Sequence, residues 1–189
     1  EISFDLNYEE RTIKCRMKGI ATHNCLNATS ALSVCHALSI DPEQASINLT
    51  NVTFPKRRME VRKAVKGSVL IDDSYNANPE SMRKSLDVLD EMHKKNRIFV
   101  AGEMGELGAL QESYHEEICK YASGKVEEFL CIGDLWRGGL KHISDIGMMF
   151  SSKDKLLEYL NTKLTKDSII LVKGSRSTGM DYIADKLKI

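Results

Sequence analysis

Asp72 and Asp73 stand side by side at the exit of an apolar run, Val69-Leu70-Ile71, and open the polar stretch Ser74-Tyr75-Asn76-Ala77-Asn78-Pro79. Adjacent carboxylates repel unless a cation, an array of donors or a sugar hydroxyl offsets the cost. Asn78 can cap a following helix, and Pro79 suits its first turn. Capping leaves the two carboxylates unexplained, so the stretch reads as a loop that meets a ligand. Lys173-Gly174-Ser175-Arg176-Ser177-Thr178-Gly179 follows another apolar run and leads into a helix. Cations, hydroxyls and a helix start together suit a phosphate or a carboxylate. A cap from Ser177 or Thr178 with cations at the surface is the competing reading.

Three further patterns are less specific. Gly102, Gly105 and Gly108 recur at every third residue, which permits positive dihedrals and close backbone approach. This is not the G-x-G-x-x-G dinucleotide spacing, and a wide turn competes evenly with a substrate-shaping wall. Asn24 and Asn27 lie one helical turn apart and could present amides to a base edge or brace a neighbouring loop. His115 shares helical spacing with Glu112 and Cys119. No fourth ligand is suggested there, so a solvated helix face is expected in preference to a metal site.

These groups need a scaffold that brings strand ends together. Apolar strand candidates lie at 69–71, 98–101, 129–132, 146–150 and 169–172, with helix candidates at 79–93, 111–122, 134–142, 152–161 and 179–187. Short, almost continuously apolar strands alternating with helices predict a Rossmann-like, mostly parallel α/β sheet covered by helices on both faces. Ligand-facing loops then fall at the carboxyl ends of the strands, where the unusual residues concentrate. Ahead of this lies a small α+β part. It comprises period-two runs at 2–6 and 12–17 and a helix over 24–38 that Thr22 could cap and whose Leu26, Ser30, Val34 and Leu38 share a face. A second helix restarts at Asp41-Pro42. Phe54 to Arg58 reads as the linker. A chain that opens inside a strand suggests a portion upstream of Glu1 or a pairing partner.

Lys plus Arg and Asp plus Glu both number 27, so no net field gathers nucleic acid or an anionic membrane. No apolar run approaches a membrane span. The five cysteines are odd in number and widely spaced, which favours free thiols in a reducing, cytoplasmic setting over disulfides or zinc. A phosphate-cradling G-x-x-x-x-G-K-[ST] loop is absent; Gly124-Lys125-Val126 lacks both the first glycine and the final hydroxyl.

HNCLN at 23–27, RRME at 57–60, IDDSYNANPESM at 71–82, GEMGELG at 102–108 and VKGSRSTGM at 172–180, in this order and spacing, resemble the Mur ligases. These are ATP-dependent amide-bond-forming enzymes of bacterial cell-wall precursor synthesis. The SYNANP and KGSRS stretches are most similar to the member that adds D-alanyl-D-alanine to UDP-N-acetylmuramoyl tripeptide. The resemblance implies that residues 1–57 are the last part of a central ATP-binding domain and 58–189 a Rossmann-like C-terminal domain. It implies cofactor-side roles for Asn24 and Asn27 (adenine), Arg58 (phosphate) and Asp73 (ribose). It implies substrate-side or inter-domain roles for Tyr75, Asn76, Lys173, Ser175 and Arg176, and Asn78 belongs with this group. ATP and Mg2+ are the implied cofactors of the complete enzyme, neither expected to bind tightly to this chain alone. The phosphate loop and metal ligands are expected upstream of Glu1, so the chain is expected to be catalytically silent by itself. A non-catalytic binding module, or one half of a split ligase, is the alternative. Three positions depart from the family pattern: Ala21 and Arg57 stand where glycine is usual, and Glu103 where aspartate is common.

Overall fold

Alternation of apolar and polar residues builds the first element pair. In the computed structural model, which describes residues 1–20 and 22–189 but not the His23 side chain, β1 (Ile2–Tyr8) and β2 (Arg11–Met17) form an antiparallel hairpin. Ile13, Cys15 and Met17 point to one face, where they are buried with Ala28 and Leu32 of α1 (His23–Ala37) and with Leu49. The helix α2 (Pro42–Ser46) starts as its residues dictate, with the Asp41 side chain accepting the Glu43 N–H and Pro42 in the first turn. One expectation for α1 fails. Thr22 has helical backbone angles and makes no side-chain cap. The buried stripe is Asn24, Ala28 and Leu32, whereas Leu26, Val34 and Leu38 are 70%, 59% and 68% exposed. Small Ala28 lets the helix backbone lie close to the hairpin.

Chain contacts divide the protein into Glu1–Pro55 and Lys56–Ile189. The larger unit contains β3 (Glu60–Lys63), β4 (Val69–Asp73), α3 (Pro79–Asp90), β5 (Asn96–Gly102), α4 (Gln111–Ala122), β6 (Glu128–Ile132), α5 (Arg137–Leu140), β7 (Gly147–Met149), α6 (Lys153–Lys163), β8 (Ser168–Lys173) and α7 (Asp181–Leu187). Its sheet runs β3-β4-β8-β5-β6-β7. All neighbours are parallel except β3, which pairs antiparallel with β4. The mostly parallel α/β expectation therefore holds, with the addition of an edge strand. Glu60-Val61-Arg62-Lys63 carries one apolar residue and is unreadable as a strand from hydrophobicity. The expected helix over 134–142 is in fact a 3-10 turn (Asp134–Trp136) followed by the single turn α5.

Successive strand residues face opposite sides of the sheet, and each side finds its own helices. Leu70, Ile98, Val100, Leu130, Ile170 and Val172 form one layer with Leu156 and Leu160 of α6 and Ile183 and Leu187 of α7. On the other side Phe99 stacks on Phe129 and Trp136 meets Phe129 edge-on, beside the fully buried Met82 and Leu86 of α3 and Ile118 of α4. The sheet order makes β4, β8, β5 and β6 consecutive neighbours, so the loops leaving their carboxyl ends are gathered at one end of the sheet.

Candidate functional site

The strand alternation that sorts the core also separates the two carboxylates at the exit of β4. Asp72 turns back on its own loop, and its Oδ1 accepts the Ser74 N–H at 3.2 Å and the Ser74 hydroxyl at 2.6 Å. Burial pushes its carboxyl above the usual range, and the Ser74 donors oppose that only in part. Asp73 turns to the neighbouring strand, where its Oδ2 accepts Lys173 Nζ at 2.5 Å and the Ser85 hydroxyl at 3.0 Å. Its Oδ1 accepts the Met59 N–H at 3.1 Å. Parallel pairing sets Asp73 opposite Lys173, so the cation demanded by the adjacent carboxylates is supplied by the fold. Lys173 is 3% exposed. Burial lowers its pKa, Asp73 pulls it back up, and the positive charge of Arg58 adds to the lowering.

Lys173 also donates to the Asn76 carbonyl at 3.0 Å, which leaves the Asn76 side chain at the exposed surface. Asn78 accepts the Ser81 N–H at 2.8 Å while the Ser81 hydroxyl accepts the Asn78 N–H at 3.0 Å. This reciprocal capping box starts α3 and engages the Asn78 side-chain oxygen. Ser175 ties three loops: its N–H donates to the Glu103 carbonyl, its Oγ accepts the Gly105 N–H at 2.6 Å, and its hydroxyl donates to the Ala77 carbonyl at 3.3 Å.

The glycine-rich loop is a braced structure. A Cβ on Gly102 would lie 2.5 Å from Met180 Cγ and 2.7 Å from Thr178 Oγ1, so the backbone there needs glycine. Glu103 lies over Gly133, which adopts a φ of 115°, and accepts the Leu135 N–H at 2.9 Å. His115 corrects the reading of a solvated helix face: it is 0% exposed. Its Nε2 must accept, because the Met104 N–H at 2.9 Å can only donate, so Nδ1 carries the proton to the Gln111 carbonyl at 2.6 Å. The ring meets Trp136 edge-on, and burial lowers its pKa. Among the described residues no group of three or more His, Cys, Asp and Glu side chains could hold a metal ion.

Two guanidinium groups rise over one exposed phenol at the rim. Arg58 lies 4.3 Å and Arg176 5.8 Å from the Tyr75 ring centre, and the Tyr75 N–H donates to the Arg57 carbonyl at 3.1 Å. Arg57 has a φ of 63°, the region where glycine is least strained. Its guanidinium is held by Asp181 and Asp185 of α7. The structure thus gathers Arg58, Asp73, Tyr75, Asn76, Lys173, Ser175 and Arg176 at one sheet end. Asn24 and Asn27 belong to the smaller unit, with Asn24 buried and Asn27 exposed on α1. Sequence reasoning missed the supporting residues Met59, Ser85 and Asp181, and set His115 on a solvated face. None lies in a recognisable motif beside the group it supports except Met59, which is part of RRME.

Residues 57–176 match the family described as Mur ligase, glutamate ligase domain. The chain belongs to the Mur ligase family. Among curated relatives, the UDP-N-acetylmuramoyl-tripeptide--D-alanyl-D-alanine ligase of Buchnera aphidicola is 35% identical over 98% of this chain and 41% of its own length. That of Bacillus subtilis is 30% identical over 89% of this chain and 38% of its own. This Mur ligase chain therefore spans about two fifths of the relatives it matches. A crystal structure of MurF from Acinetobacter baumannii has a TM-score of 0.88 at 26% identity, covering 97% of this chain and 41% of that one. MurF from Thermotoga maritima in complex with ADP, at 22% identity and a TM-score of 0.79, shares the fold. Of the departures from the family pattern, Ala21 lies outside the described residues. Glu103 is accommodated by the side-chain-free Gly133, and Arg57 by the two carboxylates on α7.

Proposed function

We propose that this Mur ligase chain is the nucleotide-closing and dipeptide-receiving part of an ATP-dependent ligase that adds D-alanyl-D-alanine to UDP-N-acetylmuramoyl tripeptide. In this reading residues 1–57 are the end of the central ATP-binding domain, 58–189 are the C-terminal domain, and the complete enzyme works in the cytoplasm. The observation that carries it is the pair Arg58 and Arg176 over Tyr75, at the carboxyl end of a parallel sheet beside the buried Lys173–Asp73 pair. Substrates of such a ligase bear phosphates and carboxylates, and this rim offers fixed cations where they must be held.

ATP would supply the phosphoryl group that activates the tripeptide carboxylate as an acyl phosphate, which the dipeptide amine then attacks with release of phosphate. Arg58 would neutralise nucleotide phosphate charge. Asp73 would accept a ribose hydroxyl through Oδ1, whose one bond to the Met59 N–H leaves a lone pair available. Asn24 and Asn27 would face the adenine. Asn76 and the amide nitrogen of Asn78 would meet the dipeptide, with Arg176 at the inter-domain side beside Arg58, while Ser175 and Lys173 hold the loops that carry them. No described residue group in this chain fits Mg2+, and no step here is assigned to it.

The test is ADP release by the complete ligase. Release should require both tripeptide and D-alanyl-D-alanine, and Arg58→Ala should lower kcat/KM for ATP by about tenfold or more, the cost of losing a charge-assisted hydrogen bond. The isolated chain should show no turnover. Dipeptide-independent ADP release, or ligation by these residues alone, would refute the reading.

A further inference from the structure

Arg58 reaches the rim from the turn before β3, and Arg176 reaches it from the turn after β8; both guanidinium groups lie over a side chain from a third loop, Tyr75. Two like charges do not converge without a reason, since each raises the cost of placing the other. Lys173 adds a third positive charge close enough for Arg58 to depress its pKa, while Asp73, bonded to Lys173 at 2.5 Å, is the carboxylate set among them. The charge balance at the rim is therefore positive. The attraction that offsets the repulsion is the negative face of the phenol ring, within reach of both guanidinium groups.

From this we infer that Tyr75 is a positioning residue: its ring holds Arg58 and Arg176 together as one site for a multivalent oxyanion, of the pyrophosphate class. An oxyanion of that size can take a guanidinium from each side, whereas arginines released from the ring would sample separate rotamers and bind as independent weak cations. The Tyr75 backbone is fixed independently, through its N–H to the Arg57 carbonyl at 3.1 Å, so the ring rises from an anchored base. Tyr75 is 40% exposed, and replacing it leaves both core layers untouched. The inference rests on the function proposed above only for which anion the site meets in the complete enzyme.

The test compares the unaltered chain with Tyr75→Phe, which keeps the ring, and Tyr75→Leu, which keeps apolar bulk without it. The side-chain Nε–H resonances of Arg58 and Arg176 should both carry ring-current shifts in the unaltered chain and in Tyr75→Phe, and lose both in Tyr75→Leu. Titration with pyrophosphate should move the two resonances with a common midpoint, weakened about two- to fivefold per guanidinium in Tyr75→Leu and restored to within about twofold by Tyr75→Phe. Ring-current shifts that survive in Tyr75→Leu, the absence of any pyrophosphate response, or equal affinity in all three proteins would overturn the inference. ADP release by the complete ligase is a separate readout. Its failure would count against the proposed function while leaving the pairing of the arginines to be judged by the resonances.

Discussion

Lys173 carries the largest local consequence of a single side chain. It is 3% exposed and bonded to Asp73 at 2.5 Å, so removing either partner strands a charge in a dry site. Lys173→Met is expected to destabilise the larger unit by about 3–5 kcal/mol, and Lys173→Met combined with Asp73→Asn by clearly less. Urea midpoints of the two variants check this; a double variant no more stable than the single one contradicts it. Arg57 makes the opposite kind of statement. Its φ of 63° disfavours any side chain by about 1 kcal/mol or more, and its ion pairs, more than a third exposed at each partner, are each worth only about 0.2–1 kcal/mol. Arg57→Ala keeps the strain and loses the pairs, whereas Arg57→Gly loses both. The glycine variant should be the more stable of the two by about 1 kcal/mol; the reverse order in thermal unfolding would show that the turn is not held as described.

At the scale of elements, one histidine joins the glycine-rich loop to the helix that follows it. His115 is neutral in the folded chain, accepting the Met104 N–H and donating to the Gln111 carbonyl. Desolvation holds its pKa below the ordinary 6.5, with Gln111 and the negative charge of Glu103 opposing that shift. The unfolded chain therefore binds more protons in the interval below about 6.5, and stability contributed by this group is lost as pH falls through it. His115→Phe should show a pH-independent loss of about 1–3 kcal/mol from the orphaned Met104 N–H and a smaller further loss on acidification. Urea midpoints at neutral and mildly acidic pH measure both quantities. A variant as acid-sensitive as the unaltered chain would remove His115 from the account. The glycines of this loop were legible in the sequence as backbone freedom. Their reason was not, because Met180 and Thr178 fill the space beside Gly102 from a segment 76 residues away or more.

At the scale of the whole molecule, all six strands of the larger sheet and the helices covering both faces come from 56–189. A segment with its own complete core can fold alone. Residues 56–189 are expected to unfold in one cooperative urea transition with native near-ultraviolet ellipticity; a broad transition would contradict this.

The sequence alone determined the alternation of strands and helices, the start of α3 at Asn78-Pro79 and the concentration of polar residues at strand exits, because these depend on local periodicity and capping. Its ordered motifs also sufficed to identify the Mur ligase family. Only the tertiary structure decided that Lys173 neutralises Asp73, that His115 is core and that the buried stripe of α1 runs through Ala28 and Leu32. Each depends on which distant segments of the chain become neighbours. Those are long-range outcomes: Asp73 and Lys173 are 100 residues apart in the chain, and parallel pairing of β4 with β8 is what makes them one site.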